Sequence, residues 1–301
     1  MITMIKKTVL FIVFFTAILC VHAQPYEVGA SSCLFGGNPD LSDFQELKNQ
    51  GINYIEYDLN ACYRGIPENE IAPCAQAMKE RIDSAGLSVW SIHLPFSRTL
   101  DISVLDDRKR EENVRFMAKM IELCAILKPS RLVLHPSSDP VYDVDREQRM
   151  TNSSQSIAIL QHSADKIGTR LCIENMPRTG LGNTPEELVR IIDKIPDVGI
   201  CFDTNHYGRG TAEHFVRVAG HKIATIHASD FAGRDECHWL PTQGIIHWEQ
   251  FMKELTCAGY KGVFMYEATK DKNSNAKLSP QQVADSFNVI QTAYNNSNNK
   301  F

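Results

Sequence analysis

Eight times along this chain a short β-branched or aromatic run is followed by a longer amphipathic segment, and that alternation constrains the fold most strongly. It implies parallel strands joined by crossover helices, because strands can pair in parallel only through a long connection packed over the sheet. The strand segments fall at residues 27–32, 54–59, 88–93, 131–135, 170–174, 199–203, 222–227 and 262–267. Helical segments are expected at 41–50, 69–85, 110–127, 145–167, from Thr184 onward, 211–219, 248–258 and 279–294. Gly51, Gly86 and Gly168 act as helix stops, and Pro129 closes the third helix. At Thr184-Pro-Glu-Glu a capping threonine precedes a first-turn proline, with two acids at the positive end of the helix dipole. Eight such units predict a single-domain α/β protein with a closed (β/α)8 barrel. An open doubly wound sheet would carry a glycine-rich phosphate loop after its first strand, and Gly36-Gly37 lacks that spacing. No linker or repeat divides the chain, and the polar tail after Tyr294 is expected to fray.

The first residues set the expected compartment. Lys6 and Lys7 precede an apolar run at 9–20, broken only by Thr16, and residues 21–23 supply the short side chains that a signal peptidase reads. About twenty apolar residues are needed to cross a bilayer, and this run is shorter. Residues 1–23 are therefore expected to be a secretory signal peptide, with 24–301 as the exported barrel, periplasmic or secreted. A lipid anchor on Cys20 is disfavoured by the bulky Leu19 before it. With no second long apolar segment, stable membrane insertion is not expected. A net charge of −5 lacks the basic footprint of a nucleic-acid-binding chain. Beyond Cys20 the cysteines are Cys33, Cys62, Cys74, Cys124, Cys172, Cys201, Cys237 and Cys257. An even number in an exported protein invites disulfides, and Cys62 and Cys74, flanking a polar loop, are the best placed pair. Burial as a small hydrophobe is the ordinary expectation for any single one.

Six strands end on a histidine or an acid: His93, His135, Glu174, Asp203, His227 and Glu267. In a closed barrel the C-terminal strand ends share one face, where active sites sit, so these scattered residues converge. One such residue is ordinarily a hydrogen-bonded loop residue. Six around one half-buried mouth would leave several charges unpaired, and a bound cation is the simplest compensation. Glu174, Asp203, His227 and Glu267 are thus expected to hold a divalent metal, since carboxylates with one imidazole suit a hard or borderline cation.

The same positions carry a family resemblance. Glu174-Asn175, Asp203-x-x-His206, His227-x-x-Asp230 and the later His238-Trp-Leu-Pro-Thr-Gln-Gly-Ile-Ile-His-Trp resemble the xylose isomerase-like TIM barrel superfamily. That superfamily includes sugar isomerases and epimerases, inosose dehydratases and the endonuclease IV group. The last segment departs from the usual His-x-Leu-Gly-x-Gly-x-Ile-x-Trp through its Pro-Thr-Gln-Gly, which predicts a locally different loop. The resemblance implies Mn2+, Co2+ or Mg2+, with Zn2+ also compatible, on the four ligands. A metal chelating two neighbouring oxygens of a keto-sugar acidifies the intervening C–H and stabilises an enediolate. Glu174 and Glu267 are then the catalytic pair, taking a proton from one face and returning one to the other. His93, His135, His206 and His238 become candidate substrate contacts, with Trp239 or Trp90 a platform for a sugar ring.

Export sharpens the expected substrate. Phosphorylated sugars are scarce outside the cytoplasm, and no glycine-rich phosphate loop follows strands seven and eight. The expectation is a metal-dependent carbohydrate isomerase or epimerase acting on a non-phosphorylated sugar or keto-sugar. A lyase or hydratase acting on a 3-keto-glycoside at the same site is the close alternative. An endonuclease IV-like phosphodiesterase would add His93, His135, His206 and the Glu236-Cys-His238 pair to the ligands of a three-zinc cluster. Glu236 departs from that group's aspartate, and the acidic charge and leader also count against it. A carbohydrate-binding barrel that has lost its chemistry is disfavoured by the intact ligand set. The expected partner is a small carbohydrate, with no nucleic-acid partner; an oligomer is compatible with the sequence. Lys270 and Lys272 are expected as solvated loop residues.

Overall fold

Among the described residues, the β-branched and aromatic runs form eight strands, and the amphipathic segments between them form eight helices. A computed structural model describes residues 26–36 and 38–298, so the leader expected at 1–23 lies outside the described residues. The strands are β1 (Val28–Ser31), β2 (Tyr54–Asp58), β3 (Ser88–His93), β4 (Arg131–Leu134), β5 (Arg170–Glu174), β6 (Gly199–Asp203), β7 (Ile223–His227) and β8 (Phe264–Tyr266). The helices are α1 (Leu41–Asn49), α2 (Glu68–Ser84), α3 (Asp107–Leu123), α4 (Asp143–Lys166), α5 (Pro185–Ile192), α6 (Ala212–Ala219), α7 (Trp248–Cys257) and α8 (Pro280–Asn298). All strand pairs are parallel, and β1 joins both β2 and β8. The ring closes between β7 and β8 just above His227. There the Ala228 N–H donates to the Met265 carbonyl at 2.8 Å, and the Glu267 N–H to the Ala228 carbonyl at 3.1 Å.

Alternation along the strands separates two cores. Leu132 and Leu134, Leu171 and Ile173, and Ile200 and Phe202 face the helices and join the main cluster. Val133, Cys172 and Cys201 face inward with Ala224 as a small plug of the barrel. Two residues further along β5 and β6, the same inward face presents Glu174 and Asp203.

Several boundaries differ from those expected. Short 3-10 turns follow β1 (Ser32–Phe35) and β2 (Leu59–Cys62), and α8 continues to Asn298 where a frayed tail was expected after Tyr294. Cys62 and Cys74 are disulfide-bonded, tying the turn after β2 to α2. Trp90 does not reach the mouth. The β2–β3 register shifts beside it, between Ile55 and Glu56. Its ring packs on Arg131 and Tyr54, and its indole N–H donates to Thr225 Oγ1 at 3.0 Å, toward the N-terminal strand ends.

Candidate metal centre

Glu174, Asp203 and His227 end β5, β6 and β7, and Glu267 follows β8 by one residue. Each offers one ligand atom, and these atoms lie within 4.8 Å of one another. His227 Nε2 donates to Glu56 Oε2 at 2.9 Å, which leaves Nδ1 as the acceptor of a neutral ring. That nitrogen faces Glu267 Oε2 at 3.1 Å, Glu174 Oε1 at 3.2 Å and Asp203 Oδ2 at 3.9 Å. A lone pair aimed at three carboxylates is unfavourable unless a proton or a cation lies between them. In the metal-free protein a proton does this. Burial opposes the charge, but Cys201, Glu267, Glu56 and Glu174 outweigh it and push His227 well above its ordinary pKa. Burial also disfavours ionised Glu174 and Glu267, yet His227 holds both carboxyls below their usual range. Asp203 goes the other way, raised by burial and only partly offset by His206. Its Oδ2 and Glu267 Oε2 are buried and accept no hydrogen bond of good geometry. Two orphaned oxygens and a nitrogen lone pair on one spot fit a divalent cation.

Four further histidines, His93, His135, His206 and His238, form a wider ring. His93 Nδ1 donates to the Leu94 carbonyl, and Nε2 lies 3.1 Å from Glu174 Oε2; His135 Nε2 reaches the same oxygen at 3.0 Å. For His93 the bond and charge of Glu174 overcome burial and raise its pKa to about 9, whereas burial prevails at His135 and lowers it. On the other side, His206 Nδ1 donates to the Asn175 carbonyl at 2.9 Å, and Nε2 lies 3.1 Å from Glu236 Oε1. His238, at a left-handed φ of 47°, donates from Nδ1 to the Glu267 carbonyl at 3.0 Å. A backbone or carboxylate acceptor on one nitrogen, with the other aimed at carboxylates, is the usual posture of a metal-ligating imidazole. His93–His135–Glu174 and His206–Glu236–His238 each have the spacing to hold a further ion. All these histidines except His227 line a cavity of about 450 Å³, together with Glu174, Glu267 and Glu236. Trp239 stands outside it, its ring covered by Lys272 Nζ at 4.8 Å.

Two supports escape a reading by strand ends. Glu56 is fully buried in the middle of β2 and also accepts from Ser91 Oγ at 2.7 Å. An acid between Ile55 and Tyr57 in an otherwise apolar run was the available signal, because alternation turns it into the barrel. Asp230, one of the motif residues, holds the loop after β7 without touching the centre. Its carboxylate accepts from the N–H groups of Phe231, Thr242 and Ile246 and from the Trp248 indole. The divergent Pro-Thr-Gln-Gly segment is fixed by this same carboxylate. A Cβ on Gly244 would sit 2.1 Å from Asp230 Oδ1, so only glycine fits there. Asn175 bridges β5 to β6, its side chain donating to the Asp203 carbonyl at 2.9 Å and accepting from the Asp203 N–H at 2.7 Å.

Comparisons with known proteins agree with the barrel fold. A family model described as xylose isomerase-like TIM barrel matches residues 44–292. An uncharacterized protein of Methanocaldococcus jannaschii is 25% identical over 231 residues, covering 76% of this chain and 87% of its own. A probable endonuclease 4 of Mycoplasma genitalium is 29% identical over 136 residues, covering 42% of this chain and 43% of its own. Among solved structures, a D-tagatose 3-epimerase-like protein shares the fold with a TM-score of 0.73 at 23% identity, covering 91% of this chain and 99% of its own.

Proposed function

We propose that this chain, which belongs to the xylose isomerase-like TIM barrel family, is a divalent-metal-dependent sugar isomerase or epimerase acting on a non-phosphorylated sugar or keto-sugar. One observation carries the reading: His227 Nδ1, its other nitrogen fixed by Glu56, faces Glu174, Asp203 and Glu267 together. A bound Mn2+, Co2+ or Mg2+ supplies Lewis acidity to adjacent substrate oxygens and so acidifies the C–H between them. The protein's own groups do the rest. Glu174 and Glu267 lie 3.2 Å and 3.1 Å from His227 Nδ1, and in this reading one takes the proton and the other returns one to the opposite face of the substrate carbon. His206 and His238 line the cavity beside them and can hydrogen-bond substrate hydroxyls. His93, His135 and Phe96 pack together as one wall of the cavity, with Phe96 4.9 Å and 4.7 Å from the two imidazole rings. The same groups serve a lyase or hydratase if the substrate carries a leaving group next to the acidified carbon.

Residues 1–23 are, in the same proposal, an export signal. The Cys62–Cys74 disulfide supports an oxidising compartment. The test is elemental analysis of the purified protein, then NMR in D2O with a panel of free and 3-keto sugars. Deuterium entering the carbon next to the carbonyl is the expected result; a metal-loaded protein that exchanges none would sink the reading.

A second reading, a phosphodiesterase using several metals, is favoured by the two additional groups around Glu174 and His206. Zinc-loaded protein that incises abasic DNA would establish it. Inert DNA beside an exchanging sugar would remove it.

A further inference from the structure

Two arginines at the mouth have no carboxylate to answer them. Arg64, after β2, and Arg98, after β3, line the same cavity as Glu174 and Glu267. The third arginine there, Arg178, is tied to Asp139 and Glu236. Among the described residues neither Arg64 nor Arg98 forms an ion pair. Arg64 gives one N–H to the Phe96 carbonyl at 2.8 Å, and its guanidinium lies 5.3 Å from the centre of the Phe96 ring. One tied donor and an aromatic ring beneath fix the guanidinium plane and leave its other donors free. Charge is thereby sorted around the mouth. The carboxylates lining the cavity come from β4 to β8 and their loops, and the unanswered guanidiniums come from the loops after β2 and β3. A neutral sugar would set hydroxyls against that cationic side and make little use of it.

We infer that the substrate carries an anionic substituent, a sugar-acid carboxylate or a phosphate ester, held by Arg64 and Arg98 while its reacting carbons lie between Glu174 and Glu267. The planar guanidinium fork matches both groups, and such charge-assisted bonds are stronger than hydroxyl contacts. This inference rests on the sugar isomerase reading; a carboxylate narrows the substrate class proposed there, and a phosphate ester replaces its unphosphorylated part.

Three ketoses differing only at C6 separate the outcomes: D-fructose, D-fructuronate and D-fructose 6-phosphate. Deuterium uptake and calorimetric binding are measured for metal-loaded wild type, Arg64→Gln/Arg98→Gln and Arg64→Lys/Arg98→Lys, compared at equal metal content and thermal midpoint. Wild type is expected to favour an anionic ketose over D-fructose by roughly 10- to 100-fold, with the glutamine pair losing that ratio and the lysine pair recovering part of it. Preference for D-fructuronate assigns a carboxylate. Preference for the phosphate keeps the subsite and overturns the unphosphorylated part of the reading above. Uptake into D-fructose as fast as into either anion overturns the subsite and leaves the isomerase reading intact. Arginine-dependent binding of an anionic ketose without uptake into any of the three sustains the subsite and overturns the isomerase reading. Binding that is equal for all three and unchanged in the glutamine pair overturns the subsite.

Discussion

His227 is held at both ring nitrogens, and the two contacts have different consequences. The Glu56 bond on Nε2 keeps the ring oriented and makes Nδ1 the ligating atom. Glu56→Gln preserves size and an acceptor but removes the charge, so Mn2+ affinity is expected to fall about 10- to 100-fold with the fold intact. Metal titration of the variant reads this directly; unchanged affinity would reduce Glu56 to a packing residue. Glu267 is placed to handle the proton itself, so Glu267→Gln should abolish deuterium exchange on every sugar the wild type accepts. Activity surviving in that variant would remove Glu267 from the proton path. The His206–Glu236 contact gives a pH dependence for chelator-treated protein. Against burial, Asp203 and Glu236 raise His206 to about 10. The His206 bond, then Arg178, lower Glu236 to about 2. These are two ends of one contact and count once. A raised histidine contributes stability fully below its ordinary value of 6.5 and loses it as pH rises toward 10. A lowered glutamate contributes above 4.5 and loses that as pH falls toward 2. Urea resistance of the metal-free protein is therefore expected to be greatest between 4.5 and 6.5, with His206→Gln flattening the alkaline decline.

At the scale of elements, the strands were more legible than what holds the loops. Strand ends could be read because an acid or histidine closing an apolar run stands out, and Glu174 and Asp203 lie where alternation puts them. The loop after β3 is different. Buried polar residues of α4 hold it by bonds to backbone that no periodicity announces: Ser156 Oγ donates to the Ile102 carbonyl at 2.7 Å, and Asn152 Nδ2 to the Val104 carbonyl at 3.0 Å. Glu56 was hidden for the opposite reason, since Tyr-Ile-Glu-Tyr reads as an ordinary strand until its inward neighbours are known. Trp90 misled because aromatic character says nothing about which end of a barrel a ring occupies. The loop after β7 offers the sharpest element-level test. Gly244→Ala drives a methyl into the Asp230 carboxylate and should cost about 1–3 kcal/mol, measured by denaturant unfolding. Because that loop also carries His238, whose Nδ1 is set against the Glu267 carbonyl, substrate affinity should weaken in the same variant. A stable, fully active variant would show that the loop can open without harm.

Across the whole molecule, the metal, the protons and the barrel's stability are one linked system. Glu174, Asp203 and Glu267 crowd His227 where the ring closes, so an unoccupied centre costs stability unless protons enter. A ligand that binds only the folded state at about 100 times its Kd adds about 2.7 kcal/mol, which for a domain of this size is a rise of about 5 °C in Tm. Chelation should lower the midpoint by that amount and readdition of Mn2+ should restore it. The increment must also depend on pH in a definite direction. Metal binding at His227 Nδ1 requires the proton to leave a ring whose pKa is raised well above the ordinary value, so protons compete with the cation. Meanwhile the metal-free barrel loses the help of protonated His206 and of His93, raised to about 9, as pH rises. Both effects act in the same direction, and the gap in Tm between loaded and chelated protein should be wider at pH 8 than at pH 6. Paired melts at the two values measure it; a gap that narrows with rising pH would mean that the cation does not share its position with the proton of His227.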